Sequence, residues 1–285
     1  MENPPVIIIG MHRSGTSMVI KMLEKLGLFV GKQKDLNHEA LFFQKINDWI
    51  MHQCGTRWDN PTLIRYLLNN DDIRKLSKDY ISFIMKTPHA ISYLGLKRYI
   101  RYRTPANLPI PWGWKDPRNT FTLPIWIDLF PDSKVIHIYR HGVDVANSLK
   151  VRQDKVLQEE KAIYNKRKPF YFLLPKRSGF TDTVRCTSME GGFSLWEEYM
   201  QEAKKNLNNL QNRAIEIKYE DFLDQPEGNL KTLAQFCNLN ADESRISEIA
   251  HQINRERAYA YRASKKLKTF ADSVISRLSE NGYYE

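Results

Sequence analysis

Cysteine is scarce and scattered in this chain. Cys54, Cys186 and Cys237 are odd in number, far apart and without metal-ligand spacing. That excludes a dense disulfide framework and points to reduced thiols in a cytoplasmic compartment. Long apolar runs are missing too: the longest, around Val6 to Ile9, is far too short to span a bilayer. No basic segment followed by an apolar stretch opens the chain, so no signal peptide is expected. There is no internal repeat and no low-complexity linker. No cluster of His, Cys and carboxylates stands at metal-ligand spacing, and no metal is expected.

What is present is the composition of a globular protein. The 285 residues are 42% hydrophobic and 27% charged, enough to bury one large core. A net charge of +10 suits an anionic cofactor, an anionic acceptor or nucleic acid, and equally a basic surface with no partner. The charge is concentrated. Between positions 150 and 185, ten Lys and Arg face only Asp154, Glu159, Glu160 and Asp182.

Strand and helix signals alternate. Apolar or β-branched runs predict strands at 6–9, 112–116, 134–139 and 214–219. Helical spacing predicts helices at 17–26, within 37–53, from the Asn70 cap onward, from Pro124 to Phe130, over 143–152, and from Pro226 to Cys237. In the helix after Asn70, Ile73, Leu76, Tyr80, Phe83 and Ile84 form the expected buried face. The alternation predicts a three-layer α/β/α domain with a central, mostly parallel sheet over residues 1–285. A long segment at about 153–192 interrupts it and is expected to be a lid or acceptor-binding insertion.

The first strand runs into Gly10-Met11-His12-Arg13-Ser14-Gly15-Thr16-Ser17, and a helix follows. Glycines bracketing a loop between strand and helix aim backbone N–H groups and a helix N-terminus at an anion. The nucleoside-triphosphate loop has a lysine after its second glycine, reaching the β- and γ-phosphates. Here that position is Thr16, and the cation is Arg13 inside the loop. Such a loop holds an anion but is poorly built for Mg-ATP. Further along, the strand ending at Arg140 leads into a helix with Asp144, Ser148 and Arg152 on one face. Arg140 stands at the carboxyl end of a strand, where α/β sheets bind ligands. A guanidinium and a hydroxyl there suit a phosphate; an exposed polar helix face is the plainer reading.

Together these motifs resemble the sulfotransferases that use 3′-phosphoadenosine 5′-phosphosulfate (PAPS). Arg13-Ser14-Gly15-Thr16-Ser17 looks like their 5′-phosphosulfate loop. Arg140 and Ser148 match the strand-ending Arg and the Ser eight positions later that bind the 3′-phosphate. Trp114-Lys115-Asp116-Pro117-Arg118 and Leu129-Phe130-Pro131-Asp132-Ser133-Lys134 are similar to a segment of the bacterial and protein-tyrosine branch. The resemblance implies a P-loop-like fold, PAPS as donor without a metal, and sulfuryl transfer to an acceptor hydroxyl or amine. It gives Lys115 a catalytic role, Arg152 a further phosphate contact and Tyr219 a cofactor contact. The plainer reading pairs Lys115 with Asp116 in a turn and buries Tyr219 as a core aromatic.

A general base is needed for a hydroxyl acceptor. In Lys34-Asp35-Leu36-Asn37-His38-Glu39, Glu39 is the first candidate, with His38 and Asp35 behind it. Otherwise Glu39 opens the next helix, where a carboxylate suits the dipole. The basic insertion points to a small-molecule or glycan acceptor, anionic or sugar-rich, on which Trp112 or Tyr171 could stack; both could equally be core. The run Arg255, Arg257, Tyr261, Arg262, Ser264, Lys265, Lys266 and Lys268 reads either as a solvated basic loop or as a cover for the nucleotide. Two rivals stand beside this reading: a P-loop kinase, which also lacks a convincing carboxylate for Mg²⁺, and a nucleic-acid binder, whose aromatics form no recognisable RNA-binding module here.

Overall fold

The structure is a computed structural model and describes residues 3–254 and 257–284. Four strands form one sheet: β1 (Val6–Ile9), β2 (Gly113–Lys115), β3 (Lys134–Tyr139) and β4 (Ala214–Lys218). Their order is β2-β1-β3-β4 and every pairing is parallel. Parallel strands are covered on both faces, which is why β1 is apolar and buried at all four positions. Register places Ile8 between Lys115 and Ile136, so the end of β2 lies beside the end of β1.

The helices that matter to the site are α1 (Thr16–Lys25), α2 (Leu41–His52), α3 (Asp71–Ile84), α4 (Asn119–Leu129), α5 (Gly142–Arg167), α6 (Met189–Leu207), α7 (Tyr219–Asp224), α8 (Pro226–Phe236), α9 (Glu243–Ala250) and α10 (Lys265–Ser273). The chain divides into two compact units. The first is Met1–Arg140 with Tyr199–Ala258, the second His141–Glu198 with Tyr259–Glu285.

The first unit holds the sheet. Val6, Ile8, Ile136 and Ile138 pack with Val19 and Leu23 of α1, Leu230 and Leu233 of α8, and Ile246 and Ile249 of α9. A separate aromatic cluster joins Phe43, Trp112, Trp114, Trp126 and Phe130, with Phe43 stacked on Trp114 at 3.9 Å between ring centroids. Trp112 is therefore core: fully buried, it donates its indole N–H to the Asn3 carbonyl at 3.0 Å.

Within the second unit, α5 enters through His141, whose ring stacks on Tyr261 at 4.3 Å. Asp144 is buried and accepts the backbone N–H groups of Ala260 and Tyr261 at 3.1 and 2.8 Å. It is a clamp rather than part of an exposed polar face. The Ser264 hydroxyl caps α10. Arg255 lies outside the described residues.

Three expected elements differ. The helix from 143 runs on to Arg167, because no Gly or Pro interrupts it before Pro169 and Lys150 and Lys155 pair with Asp154 and Glu159 one turn on. Much of the expected insertion is thus helix. Pro124 sits in the middle of α4, not in its first turn. The backbone bond it cannot make is replaced: the Thr120 carbonyl accepts Asn206 Nδ2 at 2.8 Å. In α3 the Asn70 side chain caps the helix by accepting from Ile73 N, as expected. Its apolar stripe lies mostly outward, however, although Ile84 is half-buried and Tyr80 rests on the Trp49 ring at 4.5 Å. Ile73, Leu76, Tyr80 and Phe83 are exposed, while Arg74 docks on Asp128 through two bonds of 2.8 and 2.9 Å and Ser77 and Ile81 are buried. Ion pairing on the polar side decided which face turned inward.

Candidate active site

The loop after β1 takes a shape only glycine permits at two points. Gly10 has φ +132°, and a Cβ there would lie 2.2 Å from the Ile138 carbonyl oxygen. Gly15 has φ +91°, and its Cβ would lie 2.3 Å from the Tyr219 ring. Gly10 N–H donates to Thr120 Oγ1 at 3.2 Å, and Arg13, exposed, holds φ +71°. The carbonyl of Gly15 accepts the N–H groups of Met18 and Val19, which starts α1. No carboxylate stands in the first turn of α1, leaving its positive end unopposed. Ser14 is fully buried, and its Oγ has no hydrogen-bond partner among the described residues. A buried hydroxyl without a partner is costly unless a ligand satisfies it.

Tyr219 opens α7 at the end of β4 and is buried against Gly15, so it is packed and beside the loop at once. The Arg140 guanidinium lies over its ring at 4.8 Å and donates to the Arg257 carbonyl at 2.9 Å. Sequence reasoning placed Arg13–Ser17, Arg140 and Tyr219 in one neighbourhood, and the first unit brings them there.

Beside the loop lies a buried ionic cluster. Lys115 Nζ donates to Glu39 Oε1 at 3.0 Å, and both side chains are at most 3% exposed. Lys115 does not pair with Asp116. The other Glu39 oxygen accepts from Gln44 Nε2 at 3.0 Å and from Arg118 at 3.4 Å. Arg118 also donates to Asp116 Oδ1 at 2.9 Å. Its Nε stands 2.8 Å from Asp48 Oδ1, an ion-pair contact without hydrogen-bond geometry. Burial pushes the Asp116 carboxyl up to about 6; Arg118 opposes the rise and Glu39 adds to it. Burial alone would lower the Arg118 pKa, but Asp116, Asp48 and Glu39 outweigh that and raise it.

Asp35 and His38 have other partners. The Asp35 carboxylate accepts the N–H groups of Asn37 and Glu39 at 2.9 and 2.8 Å, shaping the turn that turns Glu39 inward. The His38 ring bonds Glu24, and burial lowers its pKa despite that carboxylate. Ser17 Oγ donates to the Asn37 carbonyl at 2.7 Å, joining this turn to the start of α1. Glu39 precedes α2 and its N-cap Ala40, and spends its charge on Lys115 and Arg118 rather than on the helix.

Three residues of this site escaped the sequence. Asn47 is a buried hub: its Nδ2 donates to Asp116 and Asn119 at 2.9 and 2.8 Å, and its Oδ1 accepts from Thr122 and Trp126. Arg118 follows Lys115-Asp116-Pro117 directly, a proximity that could have drawn attention to it. Trp58 shows no signal in the sequence. Its ring meets His12 of the loop edge-on at 4.6 Å, and its carbonyl accepts Tyr199 Oη at 2.9 Å. With Asp48, His52, Arg57 and Arg118 it lines a cavity of about 390 Å³.

Ser148 and Arg152 belong to the second unit, on α5. Ser148 is half-buried, and Arg152 is exposed and bonded to Asp182 at 2.7 Å. Tyr171, also there, stacks on Tyr164 at 5.9 Å. Among the described residues no group of His, Cys, Asp and Glu could hold a metal ion, and no helix is long and apolar enough to cross a membrane.

The family model of the sulfotransferases matches residues 4–243. The chain belongs to the sulfotransferase family. No curated protein matches this sulfotransferase. Among solved structures it is similar to the sulfotransferase domain from the curacin biosynthetic pathway, at 17% identity and TM-score 0.52, over 99% of this chain and 98% of that one. That likeness shows the shared α/β fold. The sulfotransferase domain of the Synechococcus PCC 7002 olefin synthase is 16% identical over 94% of each chain, with TM-score 0.46. A sulfotransferase of Mycobacterium avium is 13% identical over 96% of this chain and 77% of that one, with TM-score 0.45.

Proposed function

We propose that this enzyme moves a sulfuryl group from PAPS to an acceptor hydroxyl or amine by in-line displacement, releasing the 3′,5′-bisphosphate PAP. The observation that carries the reading is the buried Lys115–Glu39 contact at 3.0 Å beside a loop shaped for an anion. Buried ion pairs add little stability compared with apolar packing, so one kept beside an anion loop favours a chemical role.

PAPS supplies an activated sulfuryl group and a phosphate leaving group. The residues fit such an anion: Ser14 has a buried hydroxyl without a partner, and α1 has no acid in its first turn. Arg13, Ser14, Gly15, Thr16 and Ser17 hold the 5′-phosphosulfate through backbone N–H groups, hydroxyls and the guanidinium. Arg140, Ser148 and Arg152 are assigned to the 3′-phosphate on their motif, and Tyr219 to the nucleotide. Glu39 takes the proton of the acceptor hydroxyl as that oxygen bonds sulfur. Lys115 offsets the charge that collects on the bridging oxygen as its bond to sulfur breaks. Arg118 holds the second Glu39 oxygen. His38, the alternative base, has its ring turned to Glu24, so the role falls to Glu39. The acceptor enters the cavity at Trp58, where Asp48, His52 and Arg57 suit a polar small molecule or a sugar.

A titration of PAP against Mg-ATP, followed by thermal stability, tests the reading. A ligand at a hundred times its Kd stabilises by about 2.7 kcal/mol; PAP should do so and ATP should not. Stabilisation by ATP alone would point to the kinase. Retained PAP affinity in both Arg13→Ala and Arg140→Ala would overturn the site assignment. A screen of sugars, phenols, lipids and peptides with labelled PAPS then identifies the acceptor.

A further inference from the structure

In the second unit, the end of α5 leads to a short 3-10 turn, Lys168–Phe172, that carries its apolar side chains into solvent. Phe170, Phe172, Leu173 and Leu174 are 67–92% exposed. Lone exposed apolar residues need no explanation, but four within five positions form a contiguous patch of the kind that marks an interaction site.

The patch is presented by an ordered base. Tyr164 of α5 stacks on Tyr171 and meets Phe180 edge-on at 5.5 Å. Lys176 bonds Glu160 at 2.7 Å and lies over the Phe180 ring. The Leu173 and Leu174 N–H groups both bond the Phe170 carbonyl at 3.1 Å, closing the turn. One set of aromatics thus locks the loop to the helix while a second set is held outward.

Along the chain the charge flanking the tip is of one sign, Glu160 of α5 pairing with Lys176 alone among these cations. Lys166, Arg167 and Lys168 precede it, and Lys176 and Arg177 follow. From Lys161 to Thr181 there is no Asp or Glu. Lys166, Arg167, Lys168 and Arg177 are all exposed.

We propose that residues 166–177 form an interfacial anchor, seating Phe170, Phe172, Leu173 and Leu174 in the headgroup boundary of an anionic lipid bilayer with the flanking cations on lipid phosphates. Aromatic and aliphatic side chains bracketed by Lys and Arg match that boundary, where apolar bodies sit below and charged ends snorkel to water. Each cation near an anionic surface strengthens binding about fivefold. A protein partner fits less well: a stable interface takes about twenty to thirty residues a side, whereas this is one short loop. The anchor is independent of the reaction proposed above.

Co-sedimentation of the whole protein with vesicles tests it. Vesicles of phosphatidylglycerol and phosphatidylcholine should pull the protein down, vesicles of phosphatidylcholine alone far less, and added salt should weaken the binding. The double variant Phe172→Ser/Leu173→Ser, with an unchanged melting temperature, should lose at least tenfold in partitioning. Lys166→Glu/Lys168→Glu should lose as much, while the reversal Lys97→Glu/Arg101→Glu, at two exposed cations of the first unit, should change it less than twofold. Absence of binding to the anionic vesicles at low salt overturns the proposal. So does an equal loss from the first-unit reversal, or full binding in the serine variant, either of which would mean adsorption by net charge. Should either tip variant melt early, the single variant Leu174→Ser and quenching of tryptophan placed at 172 by brominated lipid (F172W) replace it; an unquenched Trp overturns the proposal.

Discussion

Lys115 and Glu39 are 76 positions apart and meet where water is excluded. Each side chain there is the other's partner, so substitution separates chemistry from structure. Glu39→Gln keeps an oxygen for Lys115 but removes the proton acceptor. It should lower kcat about 10²–10⁴-fold, the range for losing a general base, with PAP affinity intact. Glu39→Ala should also destabilise by about 3–5 kcal/mol, because it leaves a buried charge uncompensated. Labelled-PAPS turnover and denaturant melts read the two effects; turnover unchanged in Glu39→Gln would move the base elsewhere. Asp116 gives a pH signature. Its carboxyl holds a proton up to about 6 in the fold and to about 3.9 when unfolded. Its contribution to stability is therefore complete below about pH 4 and lost as pH rises through 6. Compared with Asp116→Asn, the wild type should lose stability from about pH 4 to 6 and change no further above about pH 7. Urea melts across that range check it, and a gap that narrows or widens only outside this window would refute the assignment.

At the scale of elements, most boundaries follow local chemistry. α1 starts where Gly15 ends the loop, α8 starts with Pro226, and α3 starts at its Asn70 cap. α4 is the exception, because Pro124 denies the Thr120 carbonyl its helical donor and Asn206 supplies another. Asn206→Ala should cost about 1–3 kcal/mol, the penalty of an unsatisfied buried acceptor. Adding Pro124→Ala restores the N–H, so the double variant should recover part of the loss; additive losses in denaturant melts would show that the carbonyl does not depend on Asn206. Neither α3 nor α5 could be completed from periodicity alone. An amphipathic pattern says that a helix has two faces, and a neighbour such as Asp128 decides which one is covered.

For the whole molecule, scarce cysteine becomes a measurable property. Among the described residues no disulfide forms, Cys186 and Cys237 are buried, and burial pushes the Cys237 thiol up to about 12. Thiol reagents act on the accessible thiolate. Native protein should therefore react quickly at Cys54 alone and at all three cysteines after denaturation; fast labelling of Cys237 in the native state would contradict the packing. The basic balance is likewise local. It gathers on α5 and the turn beyond it, while the ionic cluster at Glu39 joins the cations Lys115 and Arg118 to three carboxylates, Glu39, Asp116 and Asp48.

The alternation of strands and helices, the glycine-bracketed loop, the strand-ending Arg140 and the Lys115 motif were all legible in the chain, because each depends on residues within one turn or one strand. Glu39 could be ranked ahead of His38 and Asp35, but all three lie in one short turn and no local signal separates them by partner. Their different partners are a tertiary outcome: Lys115 and Arg118 face Glu39, Glu24 takes His38, and the turn's own amides take Asp35. The Asn47 hub, the Trp58 cavity and the exposed stripe of α3 are also tertiary outcomes. Local propensity sets where elements begin and end, whereas burial and charge pairing between distant residues decide which side chains meet.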